Sequence, residues 1–199
     1  MMNLSIPDAQ LPFRFRPATR MDNEELLLFC AANDFLRVER EANGEILVMT
    51  PAGGRTSSMN SRITRYLDEW AEHDGRGVAF DSNAGFVLKD GSMRSPDAAW
   101  IRKALWEALS EADQQRFAPI CPDFVIELRS PSDKLAEVQA KMEMWIANGT
   151  QVAWLIDPER KVVEIYRPGD SSEVLHEPSS VQGTGPVAGF ELVMARVWK

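Results

Sequence analysis

Two carboxylates stand where apolar strands are expected. Asp97 opens the run DAAWI, and Glu127 interrupts FVIEL within CPDFVIELRSPSD at 121–133. Burying a carboxylate without a partner is costly, so each must be neutralised by a neighbour or be there to hold something. Strand alternation sets Val125, Glu127 and Arg129 on one side, opposite Phe124, Ile126 and Leu128. Arg129 is then a neighbour of Glu127, as its ion-pair partner or as a phosphate contact. If the two strands pair, Asp97 and Glu127 converge, and converging carboxylates repel unless a proton or a cation sits between them. Magnesium or manganese suits such a site, since these hard cations keep waters that can bind phosphate oxygens or supply a nucleophile. Downstream, the helical advance per residue places Lys134 and Lys141 on one flank of an apolar stripe. Either ammonium can orient an attacking water and offset charge building on phosphate. The plainer alternatives are a turn cap at Asp97, a salt bridge at Glu127 and a snorkelling stem at Lys141.

The surrounding elements must position these groups. DKLAEVQAKMEMWIANG carries Leu135, Val138, Met142, Trp145 and Ile146 at helical spacing, with Asp133 as a candidate cap and Gly149 as a stop. VAWLID (152–157) and VVEIY (162–166) follow as strands, so strand, helix and strand form a crossover unit. Asp123 and Asp157 are expected to be turn residues. Upstream, Asp22 and Glu25 match a capping box opening a helix to about Ala32. FLRVERE and EILVMT flank Asn43-Gly44 as a hairpin, and Ile63, Tyr66, Leu67 and Trp70 predict a helix from about Ser57 to His73. VAFD, GFVL and DAAWI are expected to form a meander or curled sheet, and residues 104–117 one or two short helices. Residues 1–21 are expected to be an N-terminal arm, with one domain over 22–199. Within the arm, FRFR could stack on and clamp a nucleic-acid strand, but a short edge strand is the favoured reading. The tryptophans fall mostly at periodic apolar positions and are expected in the core.

The chain has 199 residues and a formal net charge of -8, which disfavours binding nucleic acid by bulk electrostatics and leaves room only for a local basic groove. Its two cysteines and two histidines are too few and too scattered for a zinc site or a disulfide framework. With no signal-like segment and no long apolar run, a soluble cytoplasmic protein without membrane partners is expected.

The ordered stretches NGEILVMTPAGG, FDSNAGFVLKDG, RSPDAAWI, CPDFVIELRSPSDKLAEVQAKM and GTQVAWLIDPERKVVEIYRPG resemble the PD-(D/E)XK nuclease superfamily. Within it they are most similar to the Uma2 family of restriction endonucleases, over roughly residues 22–195. The resemblance implies a restriction-endonuclease-like α/β fold, with a mixed central β-sheet flanked by helices. It also implies metal-dependent hydrolysis of DNA phosphodiesters with magnesium or manganese, by Asp97, Glu127 and Lys141. Arg129 stands where the superfamily has its lysine, and Lys141 in QAKMEMW maps to a lysine displaced onto the next helix. Glu45 matches a family glutamate and is a candidate auxiliary carboxylate, beside Arg129 and Lys134. Many relatives carry a histidine where this chain reads RTSSMN.

Three functions are open at this stage. The first is a metal-dependent DNA endonuclease, acting as a homodimer because two equivalent sites cut two strands. The second is a non-catalytic homodimeric interaction module on the same scaffold. A sugar hydrolase ranks last, since Arg129 and Lys141 oppose the protonated acid it needs.

Overall fold

In the computed structural model, which describes residues 11–198, FRFR becomes strand β1 (Phe13–Phe15). The capping box forms as expected. Asp22 accepts from Glu25 N at 2.8 Å and Glu25 reaches back to Asp22 N at 2.9 Å, opening α1 (Asn23–Ala32). Strands β2 (Arg37–Arg40) and β3 (Ile46–Met49) pair as a hairpin whose turn uses Gly44 at a φ of 84°. β1 adds to the open edge of β3, and Phe13 and Phe15 pack on the cluster of Leu26, Phe29, Val38, Ile46 and Val48. Their rings are committed to packing, so FRFR is an edge strand and not a nucleic-acid clamp. Residues 1–10 of the expected arm lie outside the described residues.

Helix α2 (Gly54–Asp74) starts at Gly54 rather than Ser57 and buries Met59, Ile63, Leu67 and Ala71. β4 (Gly77–Phe80), β5 (Phe86–Val87), β6 (Met93–Arg94) and β7 (Ala98–Arg102) follow. They do not form the expected meander. β5 and β6 extend the β1–β3–β2 sheet to five strands, while β4 and β7 pair in a second sheet. The chain crosses between the sheets at Ser95-Pro96-Asp97, where Pro96 has no N–H to continue a ladder.

Two short helices, α3 (Lys103–Glu107) and α4 (Glu111–Gln114), lead to β8 (Phe124–Leu128), α5 (Leu135–Asn148), β9 (Val152–Asp157), β10 (Val162–Tyr166) and β11 (Glu173–His176). These complete a six-stranded sheet of order β11-β10-β9-β8-β7-β4, mixed because β8 and β9 are parallel. β12 (Ser180–Gln182) and β13 (Glu191–Val193) form a separate pair. The large sheet is covered on both sides. Ala98, Trp100, Phe124, Ile126 and Trp154 pack toward α2, and Ala99, Ile101, Val125, Ala153 and Leu155 toward Met142 and Trp145 of α5. Burial on both faces explains why β8 is a continuous apolar run and why Glu127 stands out in it.

Candidate active site

The β7–β8 register pairs Ala98 with Ile126, so the next pair outward is Asp97 and Glu127. Asp97 Oδ2 accepts from Leu128 N at 2.8 Å, which fixes the carboxyl against the end of β8. Its Oδ1 is held loosely, by Asn60 Nδ2 of α2 at 3.3 Å and Arg37 Nη1 of β2 at 3.8 Å. Glu127 Oε1 accepts from Lys141 Nζ and from Trp145 Nε1, both at 2.9 Å. Lys141 and Trp145 are one helical turn apart, so a single face of α5 presents both donors. Glu127 Oε2 accepts no hydrogen bond among the described residues.

A third carboxylate completes the site. β2 projects Arg37 and Glu39 from one face, and Glu39 is only 2% exposed. Lys141 Nζ donates to Glu39 Oε1 at 2.9 Å, as does Ser95 N at 3.2 Å. The Arg40–Met93 pairing sets Arg94 opposite Glu39, and Arg94 Nη1 donates to Glu39 Oε2 at 3.0 Å. Arg94 also grips Glu41, which Arg14 of β1 reaches at 2.7 Å. Alternating charges therefore run from Arg14 through Glu41, Arg94, Glu39 and Lys141 to Glu127. Sequence reasoning took FLRVERE as an ordinary hairpin strand and missed Glu39. The available signal was the one that exposed Glu127, a glutamate inside a strand-like run.

The electrostatics separate the three acids. Burial pushes the Glu127 carboxyl up to about 7; Lys141 pulls it down, while Asp97 and Glu39 repel its charge. Burial also raises Asp97, against the Leu128 N–H and the nearby Arg37 and Lys141. Burial acts the same way on Glu39, but Lys141 and Arg94 overcome it and bring that group down to about 2. Burial disfavours the Lys141 ammonium, yet Glu127 and Glu39 outweigh this and hold it charged above its ordinary range. One lysine thus serves two carboxylates, and the Asp97–Glu127 pair is short of positive charge.

Magnesium or manganese fits that deficit. The donors are hard carboxylate oxygens, Glu127 Oε2 is free, and Asp97 Oδ1 is weakly engaged. Among the described residues no group of three or more His, Cys, Asp or Glu is arranged to hold a metal ion. A cation here would rest on two carboxylates, with water and substrate oxygens completing its shell. The pH dependence follows. Because the folded protein holds Glu127 above its ordinary 4.5, this group's stabilising contribution without metal is complete below about 4.5 and is lost as pH rises through about 7. Manganese held by Asp97 and Glu127 would require the ionised forms and should release more protons per ion at pH 6 than at pH 8. Calorimetric titration in buffers of different ionisation heat reads this directly, and equal release at both pH values would contradict it.

The remaining sequence candidates lie elsewhere. Arg129 N still bonds Ile156 O of β9 at 2.9 Å, but the Arg129 side chain makes no ion pair with Glu127. Its Nη1 pairs with Asp157 at 2.9 Å and its Nε donates to Asp133 O at 3.2 Å. Asp157 is the turn residue expected, accepting from Glu159 N and Arg160 N at 3.1 Å, and it carries the Arg129 ion pair in addition. Asp123 bonds Arg102 N and Nε, both at 2.9 Å. Asp133 does not cap α5. It closes a turn on Ser130 N at 2.8 Å and leaves Lys134 as the N-cap residue. Lys134 does not reach the Glu39–Glu127 site; it is 81% exposed and pairs with Glu137. Glu45 stands beside Arg14 at 4.0 Å, at the outer end of the charge chain. Trp145 is core, as expected, but its indole N–H also fixes Glu127, a role its apolar spacing did not disclose.

The Uma2 family model, described as "Putative restriction endonuclease", matches residues 23–195. The chain belongs to the Uma2 family. This Uma2 protein shares its fold with the crystal structure of a "putative nuclease belonging to DUF820" from Anabaena variabilis. The TM-score is 0.70 at 23% identity, covering 81% of this chain and 89% of the other. No curated protein matches the Uma2 chain. Among its described residues no helix is long and apolar enough to cross a membrane.

Proposed function

We propose that this Uma2 protein is a metal-dependent endonuclease that hydrolyses DNA phosphodiester bonds. The observation that carries the reading is the facing of Asp97 and Glu127 across β7 and β8, with Lys141 bonded to Glu127. Asp97 and Glu127 would hold magnesium or manganese, which when bound polarises a phosphate oxygen and makes water a better nucleophile. Lys141 is held cationic by Glu39 and Glu127, so it orients water and stabilises charge developing on phosphate rather than accepting a proton. Trp145 fixes one oxygen of Glu127 and leaves the other for the cation. Glu39, backed by Arg94, keeps Lys141 in place when Glu127 is engaged elsewhere.

Nicking of supercoiled plasmid with magnesium or manganese, against a chelator control, tests the reading. Wild-type protein should nick, and Asp97→Asn should lose roughly a hundredfold or more, the scale expected when several kcal/mol of charge stabilisation are removed. Absence of both nicking and manganese binding would favour a non-catalytic, homodimeric interaction module instead.

A further inference from the structure

The acidic chain must still meet a polyanion somewhere, and the arginine expected to do so is occupied. Arg129 is held by Asp157 at 2.9 Å and by a backbone carbonyl, and Arg94 is fixed between Glu39 and Glu41. Arg37 differs. Its side chain is about one-third exposed and makes no hydrogen bond among the described residues, where its single ion pair is the 3.8 Å approach to Asp97 Oδ1. Its guanidinium stands beside Asp97 Oδ1 with only this long contact, and a planar guanidinium is suited to phosphate.

The other neighbour of Asp97 Oδ1 is Asn60, and Asn60 lines a groove. This 250 Å3 depression is bordered by Ser57, Asn60, Ser61, Thr64, Asp81 and Ser82. Ser57, Ser61 and Thr64 recur at helical spacing along one face of α2, so their hydroxyls form a row that leads to Asp97 through Asn60. Hydroxyl donors along a track suit backbone phosphate oxygens, which accept hydrogen bonds and carry no base identity. The volume lies just below the roughly 300–1,000 Å3 of enclosed ligand pockets. Asp81 is the unfavourable member. Both its oxygens accept from Asn83, at 2.9 and 3.1 Å, and an anion would settle toward the Arg37 end.

Resting on the nuclease reading above, we infer that Arg37 and the hydroxyl row of α2 form the subsite for the substrate strand's phosphate backbone, with Arg37 on the phosphate beside Asp97. Arg37→Gln should raise KM for a duplex oligonucleotide about tenfold while kcat changes less than about threefold, as expected for uniform binding. It should also reduce the salt slope of binding, measured by fluorescence anisotropy with calcium replacing magnesium, by about one. Lys103→Gln removes one exposed charge far from Asp97 and should leave both unchanged. Ser61→Ala with Thr64→Val should weaken binding severalfold. A wild type that cleaves, with KM and salt slope unmoved in Arg37→Gln, overturns the subsite and spares the nuclease reading. A wild type that neither cleaves nor binds the duplex overturns both.

Discussion

Glu127→Gln is expected to abolish metal-dependent cleavage and manganese binding and to leave the fold intact. The substitution removes one of the two charges available to a cation while keeping an acceptor for the Trp145 indole. It costs little because the folded protein already disfavours the ionised carboxyl, which is pushed up to about 7. The sign is checkable by thermal unfolding without metal. Below pH 5 wild type and variant should be equally stable. As pH rises past 7 the wild type loses the contribution of Glu127, and the variant should match or exceed it. Adding manganese should raise the melting temperature of the wild type alone. Retained cleavage in the variant would remove Glu127 from the mechanism.

Lys141→Met should be the more damaging change, because it leaves Glu39 and Glu127 buried without their shared cation. Breaking a buried pair by removing one partner typically costs about 3–5 kcal/mol, and the Lys141 side chain is only 21% exposed. Cleavage should be lost as well. Part of the penalty should return in the Lys141→Met, Glu127→Gln double variant at alkaline pH, where the Glu127 carboxyl would ionise without a cation beside it, while Glu39 keeps Arg94. Urea unfolding of the two single variants and the double measures this coupling. A single-variant loss below about 1 kcal/mol, the scale of exposed pairs, would show that the shared contact does not hold the site together.

Much of this site was legible because charge inside an apolar strand is a local anomaly. Asp97 and Glu127 announced themselves that way, and the apolar stripe of α5 carried Lys141 to the face where the structure has it. The capping box at Asp22, the Asn43-Gly44 hairpin and the β8–α5–β9 unit were readable for the same reason, since each is specified by residues close in the chain. What failed depended on which partner a side chain meets and on which sheet a strand joins. Arg129 is taken up by Asp157, a partner 28 residues on, and Lys134 sits at the N-cap of α5 and pairs with Glu137. The assignment of β5 and β6 to the smaller sheet rests on long-range pairing that strand-like composition does not encode. Glu39 was hidden because a glutamate near a hairpin is ordinary until a second sheet covers it.

The junction at Ser95-Pro96 carries a consequence for the protein's life history. Glu39 and Lys141, whose contact ties the smaller sheet to α5, stand 102 residues apart in the chain. The acids and their cation meet only when the N-terminal hairpin, the β7–β8 pair and α5 have all docked. Contacts this distant form late, because the intervening loop must close first. A nascent or partly unfolded chain would carry the motif residues without the assembled centre. On the proposed nuclease reading, such a chain would lack cleavage activity until the fold is complete.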